Sequence, residues 1–132
     1  MMEVPAELSR IIINETSDQQ IIVLKERSGS RSFPIVIGLV EIFAIDRRLK
    51  GLRPPRPMTH ELLANVIENL GGKIEKVVID DLRNSTFYAK LYINIDGEVT
   101  EVDSRPSDAI ALTAGDGTPI FVEDHVFERT AL

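Results

Sequence analysis

β-Branched residues run together at Ile11-Ile12-Ile13 and again at Ile21-Ile22-Val23-Leu24, with the polar stretch from Asn14 to Gln20 between them. Runs of this kind bounded by polar turns predict two strands. Ser28-Gly29-Ser30 breaks the pattern, and Phe33-Pro34-Ile35-Val36-Ile37 predicts a third strand. Pro34 has no N–H to donate, so it belongs at the start or on the edge of that strand. From Gly38 the period lengthens. Leu39, Ile42, Phe43, Ile45 and Leu49 recur on or near one face of a helix, which Gly51 can end.

Three prolines between Arg53 and Pro57 predict a stiff, extended connector. Thr59 is placed to cap the next helix. There Leu62, Leu63, Val66, Ile67 and Leu70 form the cleanest helical stripe in the chain, ended by Gly71-Gly72. Strands follow at Ile74–Ile79, Thr86–Ile95 and Glu98–Val102, the last two joined by the hairpin signal Asp96-Gly97. Phe87, Ala89, Leu91 and Ile93 alternate with Tyr88, Lys90, Tyr92 and Asn94, so the long strand has two unlike faces. Pro106 suits the first turn of a short helix carrying Ala109, Ile110, Ala111 and Leu112. Pro119-Ile120-Phe121-Val122 is a final strand, and Asp124 to Arg129 suits a last helical turn. About seven clustered strands and about three helices make an α+β fold, a largely antiparallel sheet with helices packed against it.

The chain has 132 residues, 43% hydrophobic and 27% charged, which suits one folded domain over 1–132 with its core at roughly 8–127. Cysteine is absent, which excludes disulfides, thiol nucleophiles and Cys-ligated zinc. The longest charge-free stretch, Ser32 to Val40, is too short to span a bilayer, and the N-terminus shows no secretory pattern. The expectation is a cytoplasmic protein with no membrane partner. A net charge of −6 disfavours indiscriminate binding to nucleic acid, so such a partner requires a local basic patch. Arg47, Arg48, Lys50, Arg53 and Arg56 form one. The first three fit equally a solvated helix end that complements the helix dipole; Arg53 and Arg56 lie beyond that explanation. Two-fold dimers are the commonest oligomers, and Phe and Ile on edge strands predict a homodimer.

Strong motifs for nucleotide cradles, zinc proteases and serine hydrolases are missing. Two segments instead break placement rules: Arg56-Pro57-Met58-Thr59-His60 and Asp103-Ser104-Arg105-Pro106-Ser107-Asp108. Each sets an arginine before a helix N-terminus, where positive charge is unfavourable unless an anion offsets it. That anion is either a nearby carboxylate or a bound phosphate. Asp108 suits a first-turn carboxylate, and Asp103 suits a partner for Arg105 or a metal ligand. Ser107 suits a first-turn hydrogen bonder. His60 is either a partly exposed side chain or a general acid or base. Glu41, in an apolar helix start, must find a partner or solvent.

At these residues the chain resembles a family. Pro34-Ile35-Val36-Ile37-Gly38 with Glu41, Arg56 to Leu63, Thr86-Phe87-Tyr88-Ala89, Asp103 to Leu112 and Pro119 to Val122 look like the bifunctional nuclease domain family. The resemblance runs from roughly Leu8 to Phe127 and implies nuclease activity on RNA and DNA. Two departures stand out. Asn84-Ser85 occupies the turn where the family has Asp-Gly, and Thr113-Ala114-Gly115-Asp116 follows Leu112 where the family has Ala and a basic residue. The function implied is a phosphodiester hydrolase of low sequence specificity, with nucleic acid as partner. Carried onto matching positions, His60, Asp103, Asp108 and Glu41 are catalytic, and Arg56, Arg105, Ser107 and Thr59 hold phosphate. Glu41, Asp103 and Asp108 would bind Mg²⁺ or Mn²⁺ if a metal is used. The alternative is a non-catalytic binding or regulatory module whose same cleft takes an anionic ligand or a protein partner.

Overall fold

Period-2 alternation sets the first strand. Val4, Ala6 and Leu8 turn one way and Glu3, Pro5 and Glu7 the other, and β1 spans Glu3–Ile12 in a computed structural model that describes residues 2–130. The isoleucine run is therefore only the end of a longer strand, and Ile13 lies beyond it. Pro5 hides the pattern in the sequence; it is tolerated because it is exposed and lies near the end of the β1–β2 pairing. β2 (Gln20–Glu26) and β3 (Ser32–Ile37) follow as antiparallel neighbours, with Pro34 on the edge strand as its missing N–H requires.

Helix α1 runs Leu39–Lys50 and closes at Gly51, whose φ of 68° is the left-handed conformation that glycine adopts without strain. Helix α2 runs Thr59–Asn69, with Met58 rather than Thr59 as the extended cap residue. Glu61 does the capping there, its carboxylate accepting the Met58 N–H at 3.2 Å.

β4 (Gly72–Arg83) and β5 (Thr86–Ile95) form a hairpin through Asn84-Ser85. Both turn residues have positive φ, 50° and 63°, so this departure from the family sequence still makes a tight two-residue turn. β6 (Glu98–Ser104) continues through Asp96-Gly97, as the sequence predicts. Helix α3 (Pro106–Thr113), β7 (Ile120–Glu123) and helix α4 (Asp124–Thr130) complete the described chain. The last turn is thus a fourth helix, held because Val126 and Phe127 are buried and Phe127 meets Phe33 edge-on at 5.3 Å.

All seven strands belong to one sheet, in the order β3-β2-β1-β7-β4-β5-β6. Every pairing is antiparallel except β4 with β7. The sheet is curled. Phe33 on edge strand β3 stacks on Phe87 of β5 with ring centroids 5.1 Å apart, although the two strands are five places apart in the sheet. Neighbouring strands lie ~4.8 Å apart, so a flat sheet would separate these rings by more than ~20 Å. The curl encloses α3, whose Pro106, Ser107 and every residue from Ala109 to Thr113 are buried. A helix apolar all round is a buried helix, and α3 is the centre of this core.

Two expectations about exposure are corrected. Phe33, Ile35 and Ile37 point into the core, and Val36 is the one large hydrophobic of that edge strand left exposed. On α2, Leu62, Leu63, Val66 and Leu70 are 43–70% exposed, while His60 is the buried residue, at 8%. The helical period was right and its inward face was not: α2 turns His60 and Ala64 toward the core and its leucines toward solvent. Among the described residues no helix is long and apolar enough to cross a membrane.

Candidate functional site

The site is built where three helices begin. Glu41 lies in the first turn of α1, His60 in that of α2 and Asp108 in that of α3. Each start has unpaired backbone N–H groups and the positive end of a helix dipole, which favours carboxylates. Glu41 accepts the Gly38 N–H at 3.2 Å and so closes the first turn of α1. Pro106 begins α3 at a position where no N–H is needed.

Asp108 is the hub. Its Oδ1 lies 2.9 Å from His60 Nε2, across 48 residues of sequence. The same oxygen accepts Arg105 Nη2 at 3.1 Å, and Oδ2 accepts Arg105 Nε at 2.8 Å, a two-pronged pair. Arg105 Nη1 stands 3.9 Å from Glu41 Oε1 and links the start of α1 to the cluster. Burial by itself pushes the Asp108 carboxyl up, but the hydrogen bonds from Arg105 and His60 outweigh it and hold the group below the usual carboxylate range. Asp108 in turn raises Arg105. The cluster grades outward: the His60 side chain is 9% exposed, Asp108 31% and Arg105 67%. It therefore presents a cation to solvent over a nearly buried imidazole. Nε2 faces the carboxylate, and Nδ1 has no hydrogen-bond partner among the described residues.

Of the residues singled out from the sequence, the structure brings together Glu41, His60, Arg105 and Asp108. Ser107 is buried beside them in α3, and Thr59 is exposed next to His60. Arg56 is exposed and makes no ion pair among the described residues. Arg53 is likewise exposed and without an ion pair among the described residues, whereas the other three are occupied: Arg47 with Glu61 at 3.5 Å, Lys50 with Asp46 at 3.0 Å, and Arg48 with Asp116 at 3.5 Å and the Ala114 carbonyl at 3.0 Å.

Asp103 does not join the cluster. It pairs in register with Lys90, while Ser104 pairs with Ala89 of the core, so Asp103 points to the other face of the sheet. Arg105 takes Asp108 as its partner instead. The three carboxylates Glu41, Asp103 and Asp108 therefore do not form one Mg²⁺ or Mn²⁺ ligand set, and both Asp108 oxygens already hold cationic donors. Among the described residues no group of three or more His, Asp or Glu side chains is arranged to hold a metal ion.

Asp103 lines a cavity of about 730 Å³ with Asp80, Asp81, Tyr88, Lys90 and His125. Asp81 there is held by Arg129 at 2.6 Å and Arg83 at 3.0 Å, with His125 at 3.5 Å. Sequence reasoning overlooked Asp80 and Asp81; the available signal was an acidic doublet interrupting a strand. A larger groove of about 1050 Å³ lies between the proline connector, α2 and the end of α3. Neither hollow is lined by His60, Arg105 or Asp108, and of these three only Arg105 is largely exposed.

Residues 22–132 match the Bifunctional nuclease domain family. An uncharacterized protein of Mycobacterium tuberculosis is 38% identical over 122 residues, which cover 92% of this chain and 73% of that protein. Bifunctional nuclease 1 of Oryza sativa subsp. japonica is 26% identical over 124 residues, 91% of this chain but 38% of the rice protein. The segments that hold Glu41, His60, Arg105 and Asp108 all fall inside the matched region, and the chain belongs to the Bifunctional nuclease domain family.

Proposed function

We propose that this chain is a phosphodiester hydrolase acting on RNA or DNA with little sequence preference, and that His60, Asp108 and Arg105 carry the reaction. The observation that supports it most is the 2.9 Å contact of His60 Nε2 with an Asp108 carboxylate that an exposed arginine also grips. Arg105 meets a backbone phosphate and stabilises the charge that builds on it. Nδ1 of His60 takes a proton from water as the water oxygen bonds to phosphorus. The ester P–O bond breaks, and the leaving oxygen takes a proton from the His60 imidazolium through water, which returns the imidazole to its neutral form. Asp108 keeps the imidazole in the tautomer with its proton on Nε2 and offsets the positive charge it acquires. Glu41 orients Arg105 from behind. Arg56 and Thr59, both exposed at the start of α2, are outer contacts for the same strand. A proton-transfer group of this kind contributes about 100- to 10,000-fold.

The exposed Arg105 guanidinium above a nearly buried imidazole also suits a second reading, a module that binds an anionic strand without cutting it. End-labelled single-stranded RNA and DNA, incubated with a small molar amount of purified protein, separate the two. Multiple turnovers that disappear in His60→Ala support the hydrolase. Saturable binding without product supports the module.

A further inference from the structure

We propose that the outward face of α2 is the two-fold interface through which a second copy of this chain docks, with the two α2 helices antiparallel. α2 has 11 residues, a length at which an isolated helix is marginal and relies on packing of its apolar face. Its best apolar face is the unpacked one. Leu62, Val66 and Leu70 recur four residues apart with Leu63 beside them, all open to solvent. With Met58 they place five large apolar side chains, each at least 43% exposed, on or beside this one helix, and clustered apolar exposure of this kind marks contact surfaces. The helix that carries His60 is therefore incompletely supported by its own chain, and the partner that completes it must be permanently at hand. A second copy meets that condition.

Charge points to the same occupant. The chain carries −6, so a self-contact must avoid its acidic surface, and α2 is uncharged from Leu62 to Ile67. Its entrance is cationic, with Arg53 and Arg56 exposed ahead of it. Its exit is anionic, with exposed Glu68 and no basic residue in the last turn to offset the carbonyl dipole. Antiparallel pairing brings each entrance alongside the other copy's exit, and the contact repeats by symmetry as a closed dimer requires. About the centre of the helix, Leu62 of one copy then faces Val66 of the other. A nucleic-acid strand gains little from an uncharged leucine face.

Sedimentation velocity at tens of micromolar tests this. The wild-type chain should sediment as a dimer. Leu62→Lys should weaken association by about ten-fold or more, with far-ultraviolet circular dichroism unchanged, because the position is exposed. Val66→Glu should do the same, and the two substitutions together should restore association by setting opposite charges across the axis. Val99→Lys, equally exposed on edge strand β6, should leave the dimer intact. A monomeric wild type overturns the proposal, as does a dimer that survives Leu62→Lys or dissociates with Val99→Lys. A double variant no better associated than the singles overturns the antiparallel register. Capture of a different protein by a monomeric wild-type chain also overturns it.

Discussion

At the scale of single residues, the sequence made His60, Arg105 and Asp108 visible as charges at helix starts, but not as one cluster. Arg105 and Asp108 are three residues apart, so their pairing is within reach of local reasoning. His60 and Asp108 are 48 residues apart, and only the packing of α2 on α3 joins them. Asp103 misled because proximity to Arg105 in sequence suggested proximity in space, whereas strand alternation sends it to the opposite face. The hub predicts a pH dependence of stability. Asp108 has a folded-state value below its unfolded one, so its ionised form stabilises the fold fully above about pH 4–5. That contribution is lost as pH falls through the lower folded value. Replacing Asp108 by Asn should cost about 1–2 kcal/mol at neutral pH, after allowing for its 31% side-chain exposure. Thermal melts should show this gap from wild type narrowing between about pH 4 and pH 2. A gap that stays constant or widens over that range contradicts the assignment.

At the scale of elements, periodicity predicted helices and strands well and their burial less well. α3 and α2 show why. α3 reads as a short helix with four apolar residues, yet it is the most enclosed element because the sheet curls around it. α2 has the clearer stripe, yet faces it outward. A helical period gives the angle between side chains, and the neighbours decide which side is inward. Ile110→Ala should therefore cost ~2–5 kcal/mol, whereas Leu62→Ser should cost well under half of that in chemical unfolding at a concentration that keeps the chain monomeric. The sequence marks Asn84-Ser85 as a turn only through the family resemblance, because neither residue is glycine, although both adopt positive φ. Ser85→Gly should relieve that strain and stabilise the protein by about 0.5–1 kcal/mol, read as a shift in the denaturation midpoint. No shift, or a destabilisation, would show that Ser85 is better accommodated than its φ implies.

At the scale of the whole molecule, the α+β class and the strand count were legible because nearly every strand has its own alternation or β-branched run. The strand order was not. The parallel β4–β7 contact and the stacking of Phe33 on Phe87 join segments more than 40 residues apart. That order gives the sheet two unlike faces, with the starts of α1, α2 and α3 and the His60 cluster on one and the Asp103–His125 cavity, beside the start of α4, on the other. On the proposed reading an acidic chain meets an acidic substrate through a few exposed arginines, so binding should weaken steeply with added salt, and Arg105→Ala should flatten that dependence in a titration with labelled oligonucleotide. The central claim is that phosphodiester cleavage depends on the His60–Asp108 pair. Single-turnover cleavage rates for wild type, His60→Ala, Asp108→Asn and Asp103→Asn, measured on one labelled oligonucleotide, test it most directly. His60→Ala should lose about 100- to 10,000-fold, Asp108→Asn should lose a large factor, and Asp103→Asn should cleave at close to the wild-type rate. Cleavage that survives without His60, or fails without Asp103 while the other two variants remain active, would contradict it.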